Sequence, residues 1–461
     1  MRSTNPISCA TSSMLPSAGK GKKVAKIFTR ISGMTLFPGV SNGKAPGVIP
    51  DAVVLVSEGR FSYAGPREGA PDTPDADDIR GEGMLLMPAL VNAHSHSPMT
   101  LLRGAGADLP LHDWLFKVIF PLEAKMTAAQ AKAGMELAML EHLRCGVTTL
   151  NEMYMFPEVM AEAAGKAGMR ALITNACVDF GRGREQLDSA LGFFREYHGS
   201  FEGRVRASIS IHAEYTSTPE LVRSVVRETE GLDNVVHVHV SETEKEVMEC
   251  RAQHGRSPVG YFHDLGLFAG RAIAAHCVSV DEDDLNLLAG DGVTVALNPI
   301  SNLKLGSGIA PVKQMREKGI RLAIGTDGAA SNDSLDLFQE IKLTGILHKG
   351  VNHDPTLLHP AEVLEAASLS AAGAMGFEKL GLIREGWQAD CVLIDMNAAN
   401  LLPAFDIPAV LVYAAKGENV RMTMAQGKVL YRDGAYLTLD EERVKRDALQ
   451  AAFGLAKAAN P

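Results

Sequence analysis

Hydrophobic and polar positions change their period twice along this chain. From residue 25 to 87, short β-like runs such as AKIFTRI and AVVLVSEGRFSYAG are broken by turns, among them Glu58-Gly59, and end in a Pro- and Asp-rich loop. The same texture returns in ADCVLIDM (389–396) and VRMTMAQGKVLYRDG (420–434), where Gln426-Gly427 and Asp433-Gly434 supply turn residues. The two ends are therefore expected to share one small β-sandwich domain, residues 25–87 plus 385–445, followed by a C-terminal helix or tail over 446–461. Residues 1–24 are rich in Ser, Gly and Lys and lack the apolar stretch of a secretory signal. They read as a disordered leader, with Met14 or Met34 as alternative starts.

Between residues 88 and 384 apolar strand-like segments alternate with helical ones. The strands are LLMPALVNAHSH, GVTTLNEM, RALITNACVD, VRASISIHA, NVVHVHVSE, RAIAAHCVSV, VTVALNPISN and RLAIGTDGA. Thr127 with Gln130 reads as a capping box ahead of a helix that stops at Gly146. Thr218-Pro219 places proline in a first helical turn, and Ser279 with Glu282 marks a third start. Eight strand-and-helix units over about 250 residues is the count of a TIM barrel, with a doubly wound sheet as the alternative. The expected fold is α/β, a (β/α)8 TIM barrel carrying the small β-sandwich domain.

In such a barrel the chemistry gathers where strands end. The first strand ends in His94-Ser95-His96, and alternation along a strand turns both imidazoles the same way. The fifth ends in His237-Val238-His239-Val240-Ser241-Glu242, the sixth in His276 and the eighth in Asp327. Among 14 histidines a single His-x-His pair carries little weight. Four strand ends that offer imidazole or carboxylate toward one axis carry more, because zinc accepts both donors and leaves one position for water. His239 lies nearer the strand end and is assigned to the ion; His237, one layer deeper, is assigned to the core.

Composition removes several other functions. No apolar run approaches the roughly 18 residues that cross a bilayer, so no membrane partner is expected. With 45 basic against 55 acidic residues the net charge is -10, the wrong sign for nucleic acid. The six cysteines are scattered without a CxxC pair, which fits a reducing cytoplasm rather than a disulfide framework. No GxxxxGK(S/T) run is present to cradle a nucleoside triphosphate.

The stretches MPALVNAHSHSPMTLLRG, HVHVSETEKE, AAHCVSVDE, NPISNLKLGSGIAP and IGTDGAASNDSLDLF follow in that order and resemble the amidohydrolase superfamily, most of all its 5'-methylthioadenosine/S-adenosylhomocysteine deaminase group. The likeness runs from about residue 25 to 440. It implies hydrolytic deamination of an adenosine-type nucleoside with one divalent metal per chain, zinc ahead of Fe2+ or Mn2+. The metal would sit at His94, His96, His239 and Asp327, with Glu242 as proton shuttle and His276 beside the attacking water; Asp327 and Glu242 would also meet the substrate. The fourth strand has no lysine to bridge a second ion and ends in His212, which the likeness places on substrate. Glu123 would hold ribose hydroxyls, and Trp114 would cover the purine or pack the lid. Arg184 would be one of two guanidinium groups for a homocysteine carboxylate, and the other position is Asn175. That departure predicts a preference for methylthioadenosine, 5'-deoxyadenosine or adenosine over S-adenosylhomocysteine. The competing readings are an s-triazine hydrolase, a free-base deaminase and a barrel kept as a scaffold, and a homo-oligomer is left open.

Overall fold

The computed structural model describes residues 29–459, so the leader expected over 1–24 and Cys9 lie outside the described residues. Strands from both ends of the chain join one nine-stranded sheet. Its order runs Ala435–Tyr436, Lys428–Arg432, Val420–Ala425, Cys391–Asp395, Met84–Pro88, Thr29–Leu36, Ile49–Ser57 and Arg60–Pro66, with Asp77–Arg80 paired beside Thr29–Leu36. Three of its turns use Glu58-Gly59, Gln426-Gly427 and Asp433-Gly434, and all six residues have positive φ, the backbone that tight hairpins require. These strands, hydrogen-bonded along one path, enclose a core that includes Ile31, Val54, Phe61, Leu86 and Met422. The C-terminal helix, Glu441–Ala459, starts earlier than expected and packs on the helix Ala128–Arg144.

The segment read as the first barrel strand is two strands. Met84–Pro88 pairs antiparallel with Cys391–Asp395, whereas Leu90–His96 pairs parallel with Val147–Met153. Pro88 lacks an amide hydrogen, which breaks the ladder between them. From Leu90 onward the strands are parallel: Leu90–His96, Val147–Met153, Arg170–Cys177 and Val205–Ile211 in one sheet, Val235–Val240, Arg271–His276, Thr294–Leu297 and Arg321–Ile324 in another. The His239 amide donates to the His212 carbonyl at 3.0 Å, joining the fourth strand to the fifth. Beyond the eighth strand, Asp327–Gly328 pairs with Ser95 and His96, which brings the chain back beside the first.

Helix starts follow the capping chemistry. Thr127 and Gln130 form the expected box, and the Thr218 hydroxyl accepts from the Leu221 amide at 3.3 Å. The third start is shifted: Asp281, not Ser279, caps the helix Glu282–Gly290, because its carboxylate reaches the Asp284 amide. Period-two alternation then sorts the strands into two faces. Ala207, Ile209, Ile211, Val236, Val238 and Val240 belong to the main apolar core, leaving Ser208, Ser210, His237 and His239 on the opposite face. A second cluster takes Leu172, Val235, Ile273, Ala296 and Ala323 from five strands and packs them against Ala371, Met375 and Phe377.

One buried ion pair fastens the two parts. Arg170, first residue of the third parallel strand, donates from Nε and Nη2 to the two carboxylate oxygens of Asp390 at 3.0 and 3.1 Å, with both side chains almost fully enclosed. Asp390 also accepts the Gln426 amide at 2.8 Å. Removing one partner would strand the other charge, at a cost of about 3–5 kcal/mol. Among the described residues no helix is long and apolar enough to cross a membrane.

Candidate active site

The strand-end residues converge as their spacing requires. His94, His96 and His239 bring their ligating nitrogens within 4.8 Å of one another, and His94, His276 and Asp327 form a second set within the same limit. All five are buried. The eighth strand approaches closely because Gly325 has no side chain; a Cβ there would lie 2.7 Å from the His94 amide nitrogen. Asp327 itself holds φ +62, a left-handed turn that aims its carboxylate back over the strand ends.

Hydrogen bonds fix which nitrogen of each imidazole is free. The Nδ1 of His96 lies 2.5 Å from the Met153 carbonyl, and that of His239 2.9 Å from the His212 carbonyl. A carbonyl only accepts, so both Nδ1 atoms carry hydrogen and both Nε2 atoms present lone pairs. Those two Nε2 atoms are 3.2 Å apart. His94 is held from behind: its Nδ1 is 2.7 Å from Nε2 of His237, whose Nδ1 is 3.2 Å from the Thr174 hydroxyl. The buried His94 Nε2 has no hydrogen-bond partner and lies 3.4 Å from Oδ1 of Asp327, which is 3.3 Å from His96 Nε2. Neighbouring separations among His94 Nε2, His96 Nε2, His239 Nε2 and Asp327 Oδ1 are thus 3.2, 3.3 and 3.4 Å. Donors about 2.05 Å from a tetrahedral zinc sit about 3.3 Å apart, so the set fits a divalent ion.

Electrostatics agree with that use. Burial pushes His94 down to about 3 and also lowers His96 and His239, keeping the imidazoles neutral. Burial would raise the Asp327 carboxyl, but the facing histidines hold it well below the usual carboxylate range. Its Oδ2 accepts from Ser301 at 2.6 Å and Ser331 at 3.1 Å. Glu242 lies apart from the ligating sets. Burial raises its carboxyl to about 7, its Oε2 is 3.8 Å from Nε2 of His276, and its Oε1 accepts from Ser307 at 3.3 Å. His276 is raised against the effect of burial by Glu242 and Asp327, and its Nδ1 meets Asn302 at 2.8 Å.

The substrate-side expectations divide. His212 stands beside the cluster, its ring 4.6 Å from that of His239 and its Nδ1 3.1 Å from the Thr216 hydroxyl. Glu123 is raised to about 7 by burial and stands near Tyr154, whose ring is 6.4 Å from that of His96. Trp114 packs the lid: its indole donates to the Ala105 carbonyl at 3.1 Å, and it is buried with Met99, Leu102 and Ile119. The structure does not bring Asn175 or Arg184 to the cluster. In a regular strand Asn175 shares a face with Ile173 and Cys177, which belong to the core under the helices. Arg184 sits exposed on the helix Gly183–Tyr197, paired with Asp188 at 2.6 Å and Glu228 at 3.4 Å.

Sequence reasoning missed the residues that act at one remove. His237 is fully buried, as expected of core, yet its ring nitrogens are spent on His94 and Thr174. The alternation in His237-Val238-His239 is the signal that puts it below a ligand. Buried Glu152 accepts from the Ser97 amide at 2.8 Å and the Ser95 hydroxyl at 2.9 Å, bracing the turn that carries His96.

Comparison with known proteins decides the family. A model of the amidohydrolase family matches residues 85–430. The chain belongs to that family. This amidohydrolase is 38% identical over 411 residues, 88% of its length and 95% of the relative's, to a 5'-deoxyadenosine deaminase of Methanopyrus kandleri. It is 39% identical over 400 residues, 86% of its length and 94% of the relative's, to a 5-methylthioadenosine/S-adenosylhomocysteine deaminase of Moorella thermoacetica. Among solved structures, an adenosine deaminase from Xanthomonas campestris with bound zinc superposes with a TM-score of 0.86 at 34% identity, covering 93% of this chain and 98% of that one. The fold is accordingly TIM-barrel-like, with a sheet-rich terminal domain.

Proposed function

We propose that this amidohydrolase hydrolyses the 6-amino group of an adenosine-type nucleoside, releasing ammonia and the inosine analogue. The observation that carries the reading is the pairing of a neutral three-histidine and one-aspartate donor set with a separate buried carboxyl, Glu242, tuned to about 7. One divalent ion per chain, zinc in this proposal, would be held by His94, His96, His239 and Asp327. When bound it would supply Lewis acidity, activating water at neutral pH.

The chain's own groups supply the remaining proton transfers. As C6 becomes tetrahedral the purine N1 needs a proton, and Glu242 is a buried acid of suitable strength to give it. Asp327 accepts the proton of the attacking water. His276, whose affinity for a proton is raised by Glu242 and Asp327, donates to the oxygen developing on C6. Asp327 then delivers the proton it took to the C6 amino group, which leaves as ammonia, while the hydroxyl proton remaining on C6 passes to Glu242 and restores its acid form. Glu123 in its ionised form accepts two ribose hydroxyls, and His212 meets the substrate beside His239.

The same proposal includes a closed (β/α)8 barrel and residence in a reducing cytoplasm, in keeping with five buried, unpaired cysteines among the described residues. Neither Asn175 nor Arg184 offers a free guanidinium at the cluster, so a 5' group without a carboxylate is preferred. Ammonia release from 5'-deoxyadenosine, methylthioadenosine, adenosine, S-adenosylhomocysteine, adenine and guanine tests this. The first three should lead in kcat/KM; faster turnover of the free bases would overturn the nucleoside assignment.

A further inference from the structure

Resting on that reading, the inference concerns what holds Glu242 in place. The chain leaves the fifth strand through Ser241, a non-glycine residue at φ +51, and such a turn persists only where neighbours enforce it. The enforcing group is the carboxylate of Glu246. Its Oε1 accepts the Ser241 amide at 2.7 Å, and its Oε2 accepts the Glu242 amide at 2.7 Å.

An ordinary helix cap does not explain this arrangement. Glu246 is the third residue of the helix Glu244–His254, and in a capping box it would spend its side chain on the Thr243 amide. That contact is the longest of the three, at 3.4 Å. The two short bonds reach past the cap to the catalytic turn. Glu246 is 7% exposed, so these bonds are made away from water.

A second acid completes the device. Glu214 is buried in the turn that follows His212, and that turn packs against the helix that begins with Glu244 and carries Glu246. Burial raises the Glu214 carboxyl strongly, and Glu246 beside it raises it further. The packing of this turn on the helix sets the loop of His212 beside the loop of Glu242.

We propose that Glu246, with Glu214 beside it, is a positioning residue that clamps the Ser241 and Glu242 amides and so keeps the Glu242 carboxyl against Ser307 and His276. It touches neither substrate nor the ligating set. Glu246→Gln keeps the shape but turns one amide hydrogen-bond acceptor into a donor facing an N–H.

The test is kcat and KM for methylthioadenosine on the metal-replete enzyme, with metal content and melting temperature measured alongside. Glu246→Gln should lower kcat about 10- to 100-fold, the scale of a misplaced catalytic group, with KM within about threefold and metal content unchanged. Thr243→Ala, which removes the cap but leaves both short bonds, should lower the melting temperature and keep kcat. In a Glu242→Gln background the Glu246→Gln change should cost nothing further, because its effect runs through Glu242. If Glu246→Gln does not fold, Glu246→Asp, one methylene too short to reach both amides, carries the same expectation. A folded, metal-loaded variant with kcat within twofold of wild type overturns the inference, as does an additive loss in the Glu242→Gln background. A wild type without nucleoside deaminase activity would instead overturn the proposed function.

Discussion

The floor and the rim of the site are built by different means. On the floor, each imidazole of the His94, His96 and His239 set has its second nitrogen tied to a fixed partner: Met153 and His212 carbonyls for His96 and His239, the His237 ring for His94. At the rim, Arg184 is solvent-exposed and spends its charge on Asp188 and Glu228, and Trp114 packs inward with the lid. Strand ends hold the converging side chains rigidly, whereas the segments beyond them carry the groups that the proposed function assigns to nucleoside preference.

The largest effects should come from the floor. His96→Ala is expected to lose metal and activity together, read by elemental analysis and ammonia release. Glu242→Gln should keep its metal and lose roughly two orders of magnitude or more in kcat. Equal metal loss in both variants would erase the distinction between ligand and proton shuttle.

An intermediate effect belongs to Glu123, between floor and rim. Burial raises it to about 7, and in the proposed role its ionised form would accept both ribose hydroxyls most strongly. The sign follows: kcat/KM for a nucleoside should fall as pH drops through about 7, because the free enzyme then holds a proton where it needs a lone pair. Glu123→Gln should cost about 10- to 100-fold at pH 8, the value of a hydrogen bond to a charged group, and should remove that limb of the profile. A limb that survives the substitution would assign it to another group.

The smallest effect is expected at the rim. Arg184→Ala breaks exposed ion pairs and should change kcat/KM for S-adenosylhomocysteine by less than about twofold. A tenfold loss confined to that substrate would show that the helix Gly183–Tyr197 swings its guanidinium over the site.

What could be read beforehand follows the same division. The donors were legible because a strand repeats every two residues, so His94 with His96 and His237 with His239 announce one face. Capping at Thr127 and Thr218 was legible from side-chain chemistry alone. The acceptors behind the ligands were not, since the carbonyls of Met153 and His212 belong to the backbone and leave no mark on residue type. Glu246 was hidden by a plausible local role as a helix cap. Asn175 was misleading because a sequence match gives a position along a strand without saying which way the pleat turns it.

The terminal sheet also sets an order of events for the growing chain. Thr29–Leu36 and Met84–Pro88 leave the ribosome first, yet Cys391–Asp395, which completes the edge of Met84–Pro88, is made only after every parallel strand. The Arg170 guanidinium likewise waits for Asp390. During synthesis an open strand edge and an unpaired cation therefore wait together for the C-terminal segment, and an open edge of that kind is a template for pairing with another chain.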